Sequence, residues 1–319
     1  GPKRCSFYIF RQNAAYYPGE EEGADMKQRG PRIELALVGL TFLTALAVLG
    51  LQPQETAGTA DGRERADRRV AERYENSSTK TVVIAHRAGA AKAPENTLAA
   101  LERAIAAKAD MAEIDVRQTG DGALIVLHDD SFGRTAGLER KVWDLDCKSA
   151  QGLDAGGWYS DEFQGECIPT LEEMLDTAQG RIALMIELKA DGCREDLADR
   201  TVALIREKGA EEQCVLASSC EGLLQRVKAL APDLETVYIG EHLPEAAADW
   251  ADGYSLDVNA MTGDAVDEAH AQGKKICAWT VNTRGEIRRA LDLGVDGLVT
   301  DDPELARNLC QDGLGPEEK

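Results

Sequence analysis

The chain has 319 residues, with 36 Lys plus Arg against 57 Asp plus Glu and a net charge of −21. That acidic balance excludes a nucleic-acid surface as the main role, because phosphate backbones require clustered cations. A hydrophobic fraction of 43% excludes a disordered acidic tail, and an aromatic content of only 5% favours an α/β architecture over an aromatic-rich sandwich.

Residues 1–25 carry no apolar periodicity and precede Met26. They read as a translated leader or a fragment end, with a cytoplasmic tail or the remnant of a longer membrane domain as the alternatives. Residues 26–52 hold the sharpest break in composition, the uncharged run LALVGLTFLTALAVLGL over 35–51. Its 17 residues lie at the lower limit for crossing a bilayer. Lys27, Arg29 and Arg32 stand just before it, which by the positive-inside rule keeps the N-terminus in the cytoplasm and exports the residues beyond the run. The segment is predicted to be a signal peptide or, in preference, a retained transmembrane anchor. The rest of the chain is then membrane-anchored outside the cytoplasm, or secreted if the segment is cleaved. Residues 53–80 form a polar, charge-mixed spacer, and 313–319 a short C-terminal tail.

Over 81–312, short apolar runs alternate with amphipathic stretches. Strands are predicted at 81–85, 111–117, 123–128, 181–188, 213–217, 235–239, 253–258, 275–281 and 296–300. Thr170 with Glu173 and Thr283 with Glu286 form the S/T-x-x-E signature of a helix start. Repeated β-α units of this total length predict a (β/α)8 TIM barrel, with one of the nine strands accessory. The second and third strands are too close for a helical crossover. A hairpin is therefore expected at Gly120-Asp121-Gly122, in a register that sets His128 opposite Glu113. The residues after the third strand, about 131–169, form an insertion containing Trp158, Tyr159 and Phe163. At the top of a barrel such an insertion is expected to shape the pocket. Cys147 and Cys167 bracket it and are candidates for a disulfide; Cys277, in a strand, reads as a small buried hydrophobe.

Barrel strands should turn apolar residues inward, yet Glu113 and Asp115 lie two apart on one face of an apolar strand. Buried carboxylates repel unless a cation separates them. Glu187, ending another apolar strand, makes a third, and three oxygen donors suit Mg²⁺ or Ca²⁺. His86 and His128 both end strands, where barrel active sites form, and as a pair beside carboxylates they suggest acid–base chemistry.

The segments IAHRAGAAKAPENTLAAL, AEIDVRQTGDGALIVLHDD, FQGECIPTLEEML, IELK and AWTVNTRGEIRRALDLGVDGLVTDDP resemble, in that order, the glycerophosphodiester phosphodiesterase family. The resemblance implies a TIM barrel that hydrolyses glycerophosphodiesters to glycerol 3-phosphate and an alcohol with a divalent metal. It implies that His86 and His128 are the acid–base pair and that Glu113, Asp115 and Glu187 are the metal ligands. Arg87 and Lys189 match the residues that hold the phosphate, Glu95 and Asn96 the element that supports the site, and Trp279 the tryptophan lining the pocket. Where the family usually has Gly after His-Arg, this chain has Ala88. That substitution is costly if the position needs positive φ and harmless if it needs only a small side chain. The aromatic that often follows the serine at the end of the fifth strand is also missing, since Ser218 is followed by Ser219 and Cys220. Two further readings remain open: a lysophospholipase D or sphingomyelinase D-like phospholipase acting on a lysophospholipid-like substrate, and a noncatalytic membrane-anchored module that binds headgroups.

Overall fold

The computed structural model describes residues 81–311 apart from 193, 194, 246 and 247. The leader, the apolar run, the spacer and the C-terminal tail lie outside the described residues. Among the described residues, no helix is long and apolar enough to cross a membrane.

The strands, in chain order, are β1 (Val82–Ala85), β2 (Met111–Gln118), β3 (Leu124–Val126), β4 (Ser131–Phe132), β5 (Leu138–Lys141), β6 (Ala183–Leu188), β7 (Cys214–Ser218), β8 (Glu235–Gly240), β9 (Gly253–Asp257), β10 (Lys275–Trp279) and β11 (Gly297–Thr300). Eight of them run parallel in the order β1, β2, β6, β7, β8, β9, β10, β11, and β11 pairs back to β1 to close a barrel. All nine predicted strands are present, and the accessory one is β3. The helices are α1 (Leu98–Ala106), α2 (Gly133–Ala136), α3 (Cys147–Gln151), α4 (Leu171–Ala178), α5 (Leu197–Lys208), α6 (Glu221–Leu230), α7 (Gly263–Ala271), α8 (Arg284–Asp292) and α9 (Pro303–Gln311). Both predicted capping boxes form, at the starts of α4 and α8. In α4, Leu171, Met174, Leu175 and Ala178 are buried at helical spacing, so one face seals the barrel wall and the acidic face meets solvent. The crossover from β8 to β9 has no helix among the described residues.

Alternation along the strands sorts residues between two cores. Val82, Ile84, Met111, Ala183, Met185, Val215, Ala217, Val237 and Val299 fill the barrel interior. The opposite face of β2, with Ala112, Ile114 and Val116, packs on helix residues such as Leu101, Ala104, Met174 and Leu175. Glu113 and Asp115 share the inward face with Met111 and so sit above the apolar plug. The register of β2 with β6 sets Asp115 directly beside Glu187.

Beyond its pairing with β6, β2 continues into the predicted hairpin with β3. Gly120 fits because the insertion passes close by: a Cβ there would stand 2.6 Å from the Trp143 carbonyl oxygen. The register differs from expectation by one residue, since Val116 faces Val126 and Arg117 faces Ile125. His128 is therefore not carried to the carboxylates by strand pairing. The strand ends at Val126, and a bend over 128–130 turns His128 toward them. The insertion is not a bare loop either, because Ile125, Leu127, Phe132, Val142, Ala150, Ala155 and Ile168 form a core of its own. Among the described residues, Cys147, Cys167, Cys214, Cys220, Cys277 and Cys310 are free thiols. The bridge considered for the insertion is absent because Cys147 turns its thiol to Gln151 while the Cys167 thiol lies by the Gly165 carbonyl.

After β1, Arg87, Ala88 and Gly89 all adopt positive φ, at 48°, 64° and 101°. Ala88 is fully buried, so the position demands a small side chain and a left-handed backbone together. For Ala88→Gly, relief of roughly 1–2 kcal/mol of left-handed strain opposes roughly 0.4–1 kcal/mol from greater freedom of the unfolded chain, to which the lost methyl burial adds. Thermal melts of Ala88→Gly are thus expected within about 4 °C of wild type. Ala88→Val, β-branched at a buried positive φ, should melt well below that range; a wild-type melt for it would contradict the left-handed turn.

Candidate functional site

At the C-terminal end of the barrel, one carboxylate oxygen from each of Glu113, Asp115 and Glu187 lies within 4.8 Å of the other two. Glu113 and Asp115 are 4% and 1% exposed, so their charge is desolvated and must be met locally. Lys189, just past β6, does most of this: its Nζ is 2.7 Å from Asp115 Oδ1 and 2.9 Å from Glu187 Oε2. The Asn96 side chain donates to Asp115 Oδ2 (2.7 Å) and accepts from the Asp115 backbone N–H (3.2 Å). Asn96 does so at φ 59°, a left-handed conformation that asparagine tolerates better than most residues. The left-handed turn after β1 aims the Arg87 backbone N–H at Glu113 Oε2, 2.8 Å away. Glu113 Oε1 is left buried without a hydrogen-bond partner.

These contacts split the carboxylates. Burial, then the neighbouring Asp115 charge, pushes Glu113 up to about 8. Burial also opposes ionisation of Asp115, but Lys189, His128 and the Asn96 hydrogen bond outweigh it and hold Asp115 well below the ordinary range. Glu187 is raised by burial, with Lys189 opposing. For Lys189, burial disfavours the charge, yet Asp115 and Glu187 push it up to about 12.

Two histidines flank this cluster, each held by an aspartate. His86 Nδ1 lies 2.6 Å from Asp301 Oδ1, beyond β11. Asn282 orients Asp301, donating to Oδ2 (2.6 Å) and accepting from the Asp301 N–H (2.8 Å). His128 Nδ1 lies 2.8 Å from Asp129 Oδ1. The bend that carries His128 is fastened by Arg117, whose Nε and Nη2 donate to the His128 carbonyl at 2.9 and 2.7 Å while Nη1 donates to that of Asp191. Burial lowers the His86 proton affinity, but the Asp301 hydrogen bond and the charges of Glu113 and Asp301 reverse this and raise it. For His128, burial prevails with help from Lys189 and Arg87, and the affinity falls.

Nine of the ten site residues expected from sequence therefore converge on one cluster and its supports. Arg87 donates from Nη1 to Glu95 Oε1 at 2.8 Å, which places Glu95 behind it. Trp279 ends β10, two strands from β1 around the barrel, packs with Ile239 and Cys277 against the interior core, and donates to the Ser255 carbonyl (3.0 Å). Sequence reasoning missed Arg117, Asp129, Arg134, Asn282 and Asp301. Arg117 continues the 113/115 alternation and could have been found that way; Asp129 directly follows His128, and Asp301 directly follows the end of a barrel strand, β11. The other two had no local signal.

Three clustered carboxylates, one with an unpartnered buried oxygen, fit a hard divalent cation. Coordination requires the deprotonated ligand. Between the ordinary glutamate value of 4.5 and about 8, the folded protein holds the Glu113 proton that a cation must expel. Thermal stabilisation by Mg²⁺ or Ca²⁺ is thus expected to be weak at the acid end of this window and to grow as pH rises through it. Melts over a cation and pH grid check this, and a stabilisation independent of pH would contradict the assignment of Glu113 as a ligand.

Comparison with known proteins gives a consistent result. Residues 86–305 match the model of the glycerophosphoryl diester phosphodiesterase family. A glycerophosphodiester phosphodiesterase of Caldanaerobacter subterraneus is 35% identical over 241 residues, covering 73% of this chain and 99% of the relative. The crystal structure of a glycerophosphodiester phosphodiesterase from Agrobacterium tumefaciens superposes with a TM-score of 0.63 at 28% identity, covering 72% of this chain and 99% of that one. An Oleispira antarctica phosphodiesterase, solved in complex with its product sn-glycerol-3-phosphate, gives a TM-score of 0.66 at 29% identity, covering 74% and 98%.

Proposed function

The chain belongs to the glycerophosphoryl diester phosphodiesterase family, and we propose that it hydrolyses glycerophosphodiesters to sn-glycerol 3-phosphate and an alcohol by two-histidine acid–base catalysis with a divalent cation. The observation that carries this reading is the pair of aspartate-held histidines beside a carboxylate cluster that also bears Arg87 and Lys189. A binding module would need the cations but not the two proton-transfer groups. The sn-glycerol-3-phosphate in the related Oleispira enzyme supports the product.

The chemical problem is attack on an anion. Arg87 and Lys189 bind the phosphoryl oxygens and offset the charge that grows on them. A divalent cation held by Glu113, Asp115 and Glu187 would add Lewis-acid stabilisation of the same charge. With Nδ1 committed to an aspartate in each histidine, Nε2 is the atom left for proton transfer.

The two His–Asp pairs are not equivalent, and the difference supports distinct roles for them. Asp301 is hydrogen-bonded by a neutral amide and keeps its full charge, which favours a protonated His86. Asp129 shares its charge with the Arg134 guanidinium, and burial, with Lys189 and Arg87, lowers the proton affinity of His128, which favours its neutral form. His128 then takes the proton of the attacking hydroxyl as the phosphorus–oxygen bond forms, and His86 gives its proton to the departing alkoxide as the other bond breaks. The attacking group is either the neighbouring glycerol hydroxyl, through a cyclic phosphate that water opens, or water itself.

Replacing either histidine by Ala is expected to lower kcat by roughly 10²-fold or more. A nitrophenyl phosphodiester, whose leaving group needs no proton, should partly restore His86→Ala and not His128→Ala. Rescue of His128→Ala alone would reverse the assignment, and near-normal turnover of glycerophosphodiesters by both variants would reject the mechanism.

A further inference from the structure

We propose that Arg134, a residue of the insertion that reaches no reacting atom, is the positioning residue that couples the phosphate-binding Arg87 to the base His128. The inference rests on the reading of His128 as base.

Arg134 lies in the four-residue helix α2. Its guanidinium makes two forks at once. Nη1 and Nη2 donate to Glu95 Oε2 and Oε1 at 2.7 and 2.8 Å. Nε and Nη2 donate to Asp129 Oδ2 and Oδ1 at 2.8 and 3.0 Å. Each carboxylate also holds one working residue, through the oxygen that it shares with Arg134 Nη2: Glu95 Oε1 accepts from Arg87 Nη1 at 2.8 Å, and Asp129 Oδ1 lies 2.8 Å from His128 Nδ1. A chain of Arg87, Glu95, Arg134, Asp129 and His128 thus crosses the mouth of the barrel, and Arg134 is its central link. Exposed ion pairs usually contribute little. Here the Arg134 side chain is 40% exposed, but Glu95 is 8% exposed, and planar bidentate geometry fixes both partners. An ammonium could not reproduce two forks.

The cation also acts through charge. His128 is faced by Asp115 from β2, by Lys189 beyond β6, by Arg87 beyond β1 and by Asp129 from its own loop. Arg134 is what balances Asp129, which it holds down at about 2. Without that balance the Asp129 charge would favour protonation of His128, and a base must be neutral to act.

Charge and geometry can be separated by two variants. Arg134→Gln loses both, so kcat should fall roughly 10- to 100-fold and the acidic limb of the kcat/KM profile should move to higher pH. Arg134→Lys keeps the charge and loses the forks, so kcat should fall while the limb stays near its wild-type position. Thermal melts of both report folding independently, and the Lys variant carries the test if the Gln variant does not fold. Wild-type kcat in Arg134→Lys, or a loss of kcat in a folded Arg134→Gln with no movement of the limb, would overturn the proposal. His128→Ala in the same assay keeps the two questions apart: if it loses turnover while the Arg134 variants behave as wild type, the coupling fails and the base assignment stands.

Discussion

Three carboxylates from two adjacent strands meet within 4.8 Å at the end of an apolar barrel, and the burial of that much negative charge governs the structure around it. Lys189 answers it directly by bridging Asp115 and Glu187. The Arg87 backbone N–H answers it for Glu113, which requires the chain after β1 to run through three consecutive residues of positive φ. Asn96 answers it for the outer oxygen of Asp115, again from a left-handed backbone. The strain stored in this loop is therefore a consequence of where the charge lies, in keeping with the general clustering of unusual backbone at functional sites. What these groups leave over, an unpartnered oxygen on Glu113 and a carboxyl that resists ionisation, is what a hard cation would satisfy.

A second layer sets the histidines apart. Both have an aspartate on Nδ1, and on that ground alone they would be interchangeable. The partners of the aspartates differ: a neutral amide from Asn282 for Asp301, a guanidinium from Arg134 for Asp129. The insertion supplies the second of these. It is tied to the barrel elsewhere too, since the Tyr159 hydroxyl donates to the Ala91 carbonyl at 2.7 Å in the turn after β1. Trp158, Tyr159 and Phe163 stack edge to face along this attachment. The insertion thus reaches the site through charge at Arg134 and is tied to the turn after β1 by the Tyr159 hydrogen bond.

Much of this was legible in the sequence because the barrel writes strong local signals. Apolar runs marked all nine strands, and the alternation of β2 exposed Glu113 and Asp115 as misplaced charges. Capping boxes marked two helix starts. The features that escaped share a cause, which is that they depend on contacts between distant segments. The hairpin register slipped by one because the turn alone does not fix it; the pairing of Val116 with Val126 does. His128 still arrives, but through a bend that Arg117 holds by its carbonyl. The internal core of the insertion draws on residues from 125 to 168, and nothing in its short apolar stretches announces that they meet. Arg134 lies five residues from Asp129 but 39 from Glu95, and Asn282 lies 19 from Asp301, so neither the double fork nor the amide contact follows from a local period. Ala88 is the instructive intermediate: the sequence posed the alternatives of small volume or positive φ, and the structure requires both.

A cation-assisted cleavage that leaves phosphate on the glycerol is the central claim. Its most direct test is the hydrolysis of glycerophosphocholine by the purified chain, with glycerol 3-phosphate and phosphocholine measured separately before and after chelation and after return of Mg²⁺ or Ca²⁺. Glycerol 3-phosphate is expected as the phosphorylated product, with its release lost on chelation and recovered with one of the two cations. Undiminished release after chelation, or phosphocholine in place of glycerol 3-phosphate, would contradict the claim.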